Sequence, residues 1–387
     1  MNTLKKIKST IYSINEKINS QLDTILHHKK FQQLEASWRG FYLLIHSEKS
    51  DQKTIKIKLL NVTWDELKED VFISFDYDQT ALFEKLHNKE FDHPGGEPIG
   101  LLLCDYYFQE EESDFSTLSI LSKIAAASFS PIMIGAASNL FTSKNNTQSP
   151  LKKITHMKEF YFLSLIAPRI IMRLPHPYHP ALSYLESNNK KEDYLWGNSV
   201  YFSGINILQK YAFSNWFLEY CSAPSFFHPL NFNKYSTEMR LTQEDEKKLG
   251  ESGISFLNER HDRREIVFSS IHSLYQEKSR KKFSFNHILC FSRFAHYIKS
   301  IGREKIGVFS TPAECEKFIK NWLQQYTADG PNIDDEYKTT YPLKKTGVHV
   351  SFYPGDIKKY HCEISLSLHL PTEMGDLELK ISTEIPR

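Results

Sequence analysis

No run in this 387-residue chain reaches the roughly 20 apolar residues that a membrane-crossing helix needs. No charge sign dominates either, with 48 Lys and Arg against 47 Asp and Glu. A net charge of +1 sets up no field to gather nucleic acid or an anionic membrane, and it leaves copies of the chain little reason to repel one another. Cysteine is scarce and scattered. Cys104, Cys221, Cys290, Cys315 and Cys362 are odd in number and form no C-x-x-C pair. That excludes a disulfide framework and a zinc module, and predicts reduced, buried thiols in a protein of the cytosol. Phosphate-loop signatures are also missing. The one glycine cluster, Gly95 to Gly100, precedes a strand pattern instead of following one, which is the wrong order for a nucleotide cradle. The basic N-terminus, Met1 to Lys8, leads into a polar helix pattern and not into the apolar core of a secretory signal.

Aromatic side chains are plentiful at 13%, more than one core needs, and large aromatics serve interfaces as readily as interiors. Ile7, Ile11, Ile14, Ile18, Leu22 and Ile25 keep the 3.6-residue period of a helix whose narrow stripe needs covering, by its own chain or by another subunit. The stretch Phe31 to Gly40 reads as a helix end: Leu34 and Trp38 share a face, Glu35 pairs with Arg39, and Gly40 supplies a left-handed cap. Thr54 to Val62 alternates as a half-exposed strand. Thr63 with Glu66, and Thr311 with Pro312 and Glu314, open helices. Further helices are expected over 79–91, 113–128, 196–217, after Thr242, over 285–302 and over 312–326. Strands are expected over 99–108, 131–134, 166–174, 237–241, 254–257 and 266–271. Residues 329–342 read as a polar linker. The alternation predicts a mixed α/β fold: residues 1–50 a helical region, 51–340 a core with a break near 175–195, and 341–387 a β extension.

Candidate chemistry is thin. His176 and His179 sit among prolines with no acid or third histidine nearby, unlike a metal site. Ser292 and His296 are four apart on a helix, but no third group or oxyanion hole accompanies them. The cluster Glu259 to Arg264 mixes both signs and reads as a solvated turn or an interface network. At the C-terminus, Ile364, Leu366 and Leu368 alternate with polar residues, as do Leu377, Leu379 and Ile381, making a hairpin. Its open edge calls for a covering sheet or a strand from another chain.

Five strings give the chain a likeness. They are Phe31 to Gly40, Gly95-Gly96-Glu97 to Gly100, Met172 to Pro175, Ser292-Arg293-Phe294-Ala295-His296-Tyr297, and the closing strands. Together and in this order they resemble the large sheath subunit of bacterial type VI secretion systems, the TssC (VipB) family. The resemblance implies a structural protein of the bacterial cytoplasm with no cofactor and no catalysis. It implies pairing with a small subunit (TssB, or VipA) into a helical tubule around an Hcp tube, anchored on a baseplate and recycled by the ClpV ATPase. It implies strand exchange between neighbours through Ile364, Leu366, Leu368, Leu377, Leu379 and Ile381. Glu35, Trp38, Arg39, Gly95, Gly96, Glu97, Arg293, Phe294 and His296 become motif residues of structure. Usual members carry several dozen residues ahead of the helix that here starts near Leu4. A baseplate or sheath-cap protein of the same ancestry is the alternative, and a hydrolase built on Ser292 and His296 a remote one.

Overall fold

A computed structural model describes residues 2–47, 55–93, 95–109, 111–138, 140, 155–180, 184–187, 190–217, 226–227, 237–239, 253–260, 265–268, 271–276, 283–328, 330, 334–354, 356–369 and 378–386. Two helices open it, α1 (Asn2–Leu26) and α2 (Lys29–His46). Helix α3 (Trp64–Ile73) starts at the expected capping box, in which Thr63 and Glu66 satisfy each other's backbone N–H groups. Helix α4 (Ala81–Phe83) runs straight into a π-helical turn, Glu84–Asp92.

The strands that follow are β1 (Leu102–Phe108), β2 (Ile132–Ala136), β3 (Leu163–Ala167), β4 (Ile170–Arg173), β5 (Leu195–Gly197), β6 (Phe226–Phe227), β7 (Ile254–Arg260) and β8 (Glu265–Phe268). One sheet has the order β1-β2-β3-β7-β8-β6. Its first four strands are parallel and its last two pairings antiparallel. Helix α5 (Glu112–Ser128) covers one face and α6 (Val200–Ser214) with α2 the other. The two-residue period of the strands explains the split. Ile132 and Ile134 face Leu118, Leu121 and Ile124 of α5, whereas Met133 joins Ala36, Leu44, Phe202 and Ile205 on the far side. Burial on both faces makes these strands continuous apolar runs.

A second assembly follows. Helices α7 (Phe285–Glu304), α8 (Pro312–Gln324) and the short α9 (Asp335–Thr340) lead into β9 (Leu343–Tyr353), β10 (Asp356–Leu368) and β11 (Glu378–Pro386). These strands form an antiparallel sheet of order β11-β10-β9. Its inner face packs on α7 and α8 around Phe294, Ile298, Ile319, Leu323, Tyr360, Cys362, Ile364, Leu366 and Ile381. Strands β9, β10 and β11 therefore share one core with α7 and α8.

Several expectations change. Gly40 caps nothing: α2 continues to His46, and a Cβ at Gly40 would collide with the Tyr201 ring of α6. Residues 55–63 pair with no strand among the described residues, and Ile57 and Leu59, the apolar side of the alternation, are exposed. The single strand expected over 166–174 is two, β3 and β4, divided at Pro168, which has no N–H to give a ladder. Trp196 lies in β5, so α6 begins later than expected. The linker over 329–342 contains α9. Thr237 makes one bridge to Ile170. The helix expected after Thr242, most of the charge cluster to Arg264, the turn over 371–376 and Leu377 lie outside the described residues.

Candidate functional site

The recurrent strings meet in space. Glu35 on α2 accepts from Arg39 Nε at 2.8 Å and from Arg173 Nε, at the end of β4, at 2.6 Å. Arg173 turns its other two nitrogens on Glu186, with Nη1 at 2.6 Å and Nη2 at 3.0 Å. The arginine side chain is 7% exposed and that of Glu186 is 1%. Burial by itself would raise the Glu35 carboxyl, but hydrogen bonds from Arg173 and Arg39 outweigh it and hold the group below its ordinary value. The same knot secures α1. His27 Nε2 stands 3.5 Å from Glu186, and the Tyr184 hydroxyl donates to Asp23 at 2.7 Å. His176, weighed as a metal ligand, donates its backbone N–H to Glu186.

The glycine string is held by α7. Arg303 donates through Nη1 to the carbonyls of Glu90 and His93, both at 3.1 Å, and through Nη2 to that of Gly96 at 3.3 Å. Gly95 sits at φ +81° and supplies the left-handed turn, while a Cβ on Gly96 would strike the Glu90 backbone. Glu97 donates its N–H to Glu90 and pairs with Lys56 through its carboxylate.

On α7 itself, Phe294 stacks on Trp216 at 4.2 Å and meets Tyr326 edge-on at 5.8 Å. The Arg293 guanidinium lies over Tyr211, Trp216 and Tyr297 at 4.7, 5.4 and 5.2 Å, a cation–π nest. His296 donates from Nε2 to the Ser128 carbonyl at 3.0 Å, joining α7 to α5. Burial pushes its pKa down to about 4, so it is neutral at physiological pH. Ser292, one turn earlier on α7, makes no hydrogen bond to it. Its buried Oγ has no hydrogen-bond partner among the described residues. Burial likewise pushes up the thiols of Cys104 and Cys362, to about 12, and of Cys315, to about 11.

The strand-exchange residues divide. Ile364, Leu366 and Leu368 point into the core from β10, whose two ladders are filled by β9 and β11. Within one molecule all three are buried, on a strand flanked by β9 and β11. Leu379 and Ile381 lie on β11, an outer strand, with Ile381 facing inward. The other outer strand, β9, is partly guarded, because Val350 N–H donates to Glu316 of α8 at 3.1 Å. Trp38, expected to share a helix face with Leu34, is 58% exposed. With Leu34, Tyr42 and Ile45 it makes an apolar stripe on the outside of α2. Arg173, Glu186 and Arg303 were missed as organising residues, because their partners are far away in the chain.

A stapled α/β body with its polar groups spent on internal joints, an apolar stripe outside and an outer β-strand is the make-up of an assembly subunit. Two family models divide the chain between them. The EvpB/VC_A0108 tail sheath N-terminal domain matches residues 8–275, and the EvpB/VC_A0108 tail sheath gpW/gp25-like domain matches residues 276–385. The chain belongs to this VipB tail-sheath family. It is 27% identical to the type VI secretion system sheath protein TssC1 of Pseudomonas aeruginosa, over 99% of this chain and 86% of that protein. Among solved structures it is similar to a chain of the anti-feeding prophage baseplate, at TM-score 0.44 and 11% identity over 85% of this chain and 83% of that one. It is also similar to a chain of the contracted anti-feeding prophage sheath, at 0.41 and 12% over 68% and 66%.

Proposed function

We propose that this protein is a structural subunit of a type VI secretion contractile sheath in the bacterial cytoplasm. Copies pair with a small TssB-like subunit and stack as a helical tubule around an Hcp tube on a baseplate. Contraction drives that tube outward, and a ClpV-type ATPase recycles the spent sheath. The observation that carries the reading is the end-to-end match of the chain to two consecutive sheath domains, residues 8–275 and 276–385. The surface agrees with it. The Leu34, Trp38, Tyr42 and Ile45 stripe is of a kind that interfaces cover. Strand β11, with Leu379 and Ile381, is the edge on which a neighbour's strand would add, and Glu378, Lys380 and Glu384 keep it soluble until then.

Co-expression with a small TssB-like sheath subunit, followed by electron microscopy, tests the proposal. Tubules or stacked rings containing both chains are expected. A lone monomer under those conditions overturns it.

A further inference from the structure

Helix α3 ends in a run that a monomer has no use for. Phe72, Ile73 and Phe75 are 89%, 74% and 95% exposed. Three large apolar residues side by side, this open, mark an interaction surface more than a tolerated blemish. Their corner is firm. Asp70 accepts the N–H groups of Ala81 and Leu82, and the Ser74 hydroxyl donates back to the Asp70 carbonyl. The rim is acidic: Asp65, Glu69, Asp76 and Asp78 are all exposed around it. The nearby cation, Lys68, is spent on Asp114 at 2.6 Å.

The opposite character lies at the start of the chain. Residues 3–14 of α1 are exposed on every side, a free-standing stretch of ~18 Å at 1.5 Å per residue. Leu4, Ile7, Ile11 and Ile14 keep their apolar stripe uncovered. Lys5, Lys6 and Lys8 flank it, and no acid precedes Glu16. An amphipathic helix half that packs on nothing gains from a surface laid along its stripe. Among the described residues, Lys5, Lys8, Glu69 and Asp78 form no ion pair. The exposure of both patches shows that they do not cover each other within one molecule.

We propose that copies of this chain join head to tail, the Phe72–Ile73–Phe75 corner of one copy seating on the basic, aliphatic first half of α1 in the next. Apolar surface meets apolar surface, and acidic rim meets lysines. Because the two patches differ, the contact is heterologous, and such contacts propagate into rings or open helices instead of stopping at a dimer. The inference goes beyond the sheath reading and concerns copies of this chain alone, so the two fail separately. Tubules with the small subunit can form even where this contact is disproved.

Sedimentation velocity on the full chain tests it. Wild type is expected to associate with rising concentration. Lys5→Glu with Lys8→Glu should weaken association by roughly tenfold or more, as should Glu69→Lys with Asp78→Lys. Circular dichroism checks that these surface changes leave the fold intact. Mixing the two variants should restore association to within about threefold of wild type, since each supplies the charge its neighbour lacks. Phe72→Ser with Phe75→Ser should weaken association, stay weak when mixed with the Glu69→Lys/Asp78→Lys variant, whose corner is also damaged, and pair only as far as a dimer with the Lys5→Glu/Lys8→Glu variant, whose corner is intact. A wild type that remains monomeric overturns the proposal. So does a mixture that fails to recover, which would assign the patches to another protein or to a contact within one chain.

Discussion

Arg173 ties the end of β4 to α2 through Glu35 and to the segment carrying Glu186. It serves two carboxylates at once, and both it and Glu186 are out of water. A planar guanidinium can satisfy two acids in fork geometry, which a lysine cannot. Arg173→Leu would leave Glu35 and Glu186 facing each other with only Arg39 and His27 nearby. Breaking a buried pair in this way costs about 3–5 kcal/mol, readable as a lower urea midpoint at unchanged slope. Arg173→Lys should fall between, keeping the charge and losing the two-sided hydrogen bonding. None of this geometry could be read from sequence. Glu35 sits four residues from Arg39, so that pair was visible, whereas Arg173 and Glu186 are distant in the chain from α2 and only the folded sheet brings them together. Phe294 was legible as core because its helix repeats apolar residues on one side. The neutral, carbonyl-bound state of His296 was not, since Ser128 belongs to another helix.

Gly40 shows how local rules can point the wrong way at the scale of elements. In an exposed helix interior, Gly→Ala stabilises by about 1 kcal/mol. Here the ring of Tyr201 fills the place of the missing side chain and lets α2 lie close on α6. Gly40→Ala should therefore destabilise the protein, by about 1–3 kcal/mol of overpacking, in thermal or urea unfolding. In a Tyr201→Ala background the penalty should shrink or reverse, because neighbouring sites of this kind are not additive. The capping box at Thr63 and the N-cap at Thr311 were legible because every group in them lies within four residues. The terminal hairpin was legible from alternation and a turn. The pairing order of the closing sheet, with β10 between β9 and β11, was out of reach. Residues 55–63 make another case, in which a strand-like pattern finds no ladder among the described residues.

Across the whole molecule, the hydrophobic clusters are tied by shared parts. Phe285 and Leu289 of α7 belong to the cluster under α2 and α6, while Phe291, Phe294 and Ile298 of the same helix belong to the C-terminal one. Phe162 touches both the C-terminal cluster and that under α5. A chain joined in this way should unfold as one unit. Urea transitions followed by tryptophan fluorescence and by far-ultraviolet circular dichroism should coincide, and amides of β2 and β10 should exchange with similar protection. An earlier, separate transition of the C-terminal sheet would contradict that expectation. The division into a helical region, a core and a β extension was the coarse part of the sequence reading. The helix over 285–302 was legible as well, but not that its apolar residues, alike along the chain, face two different clusters.

Helix α7 lies as a continuous beam between the central and terminal sheets, with no loop interrupting its 20 residues. A pull applied at the last strand is passed along that beam to the body of the molecule, with no hinge to absorb it. A tubule built of such units would yield at the seams between them, and its stroke would be the sum of small displacements at many joints.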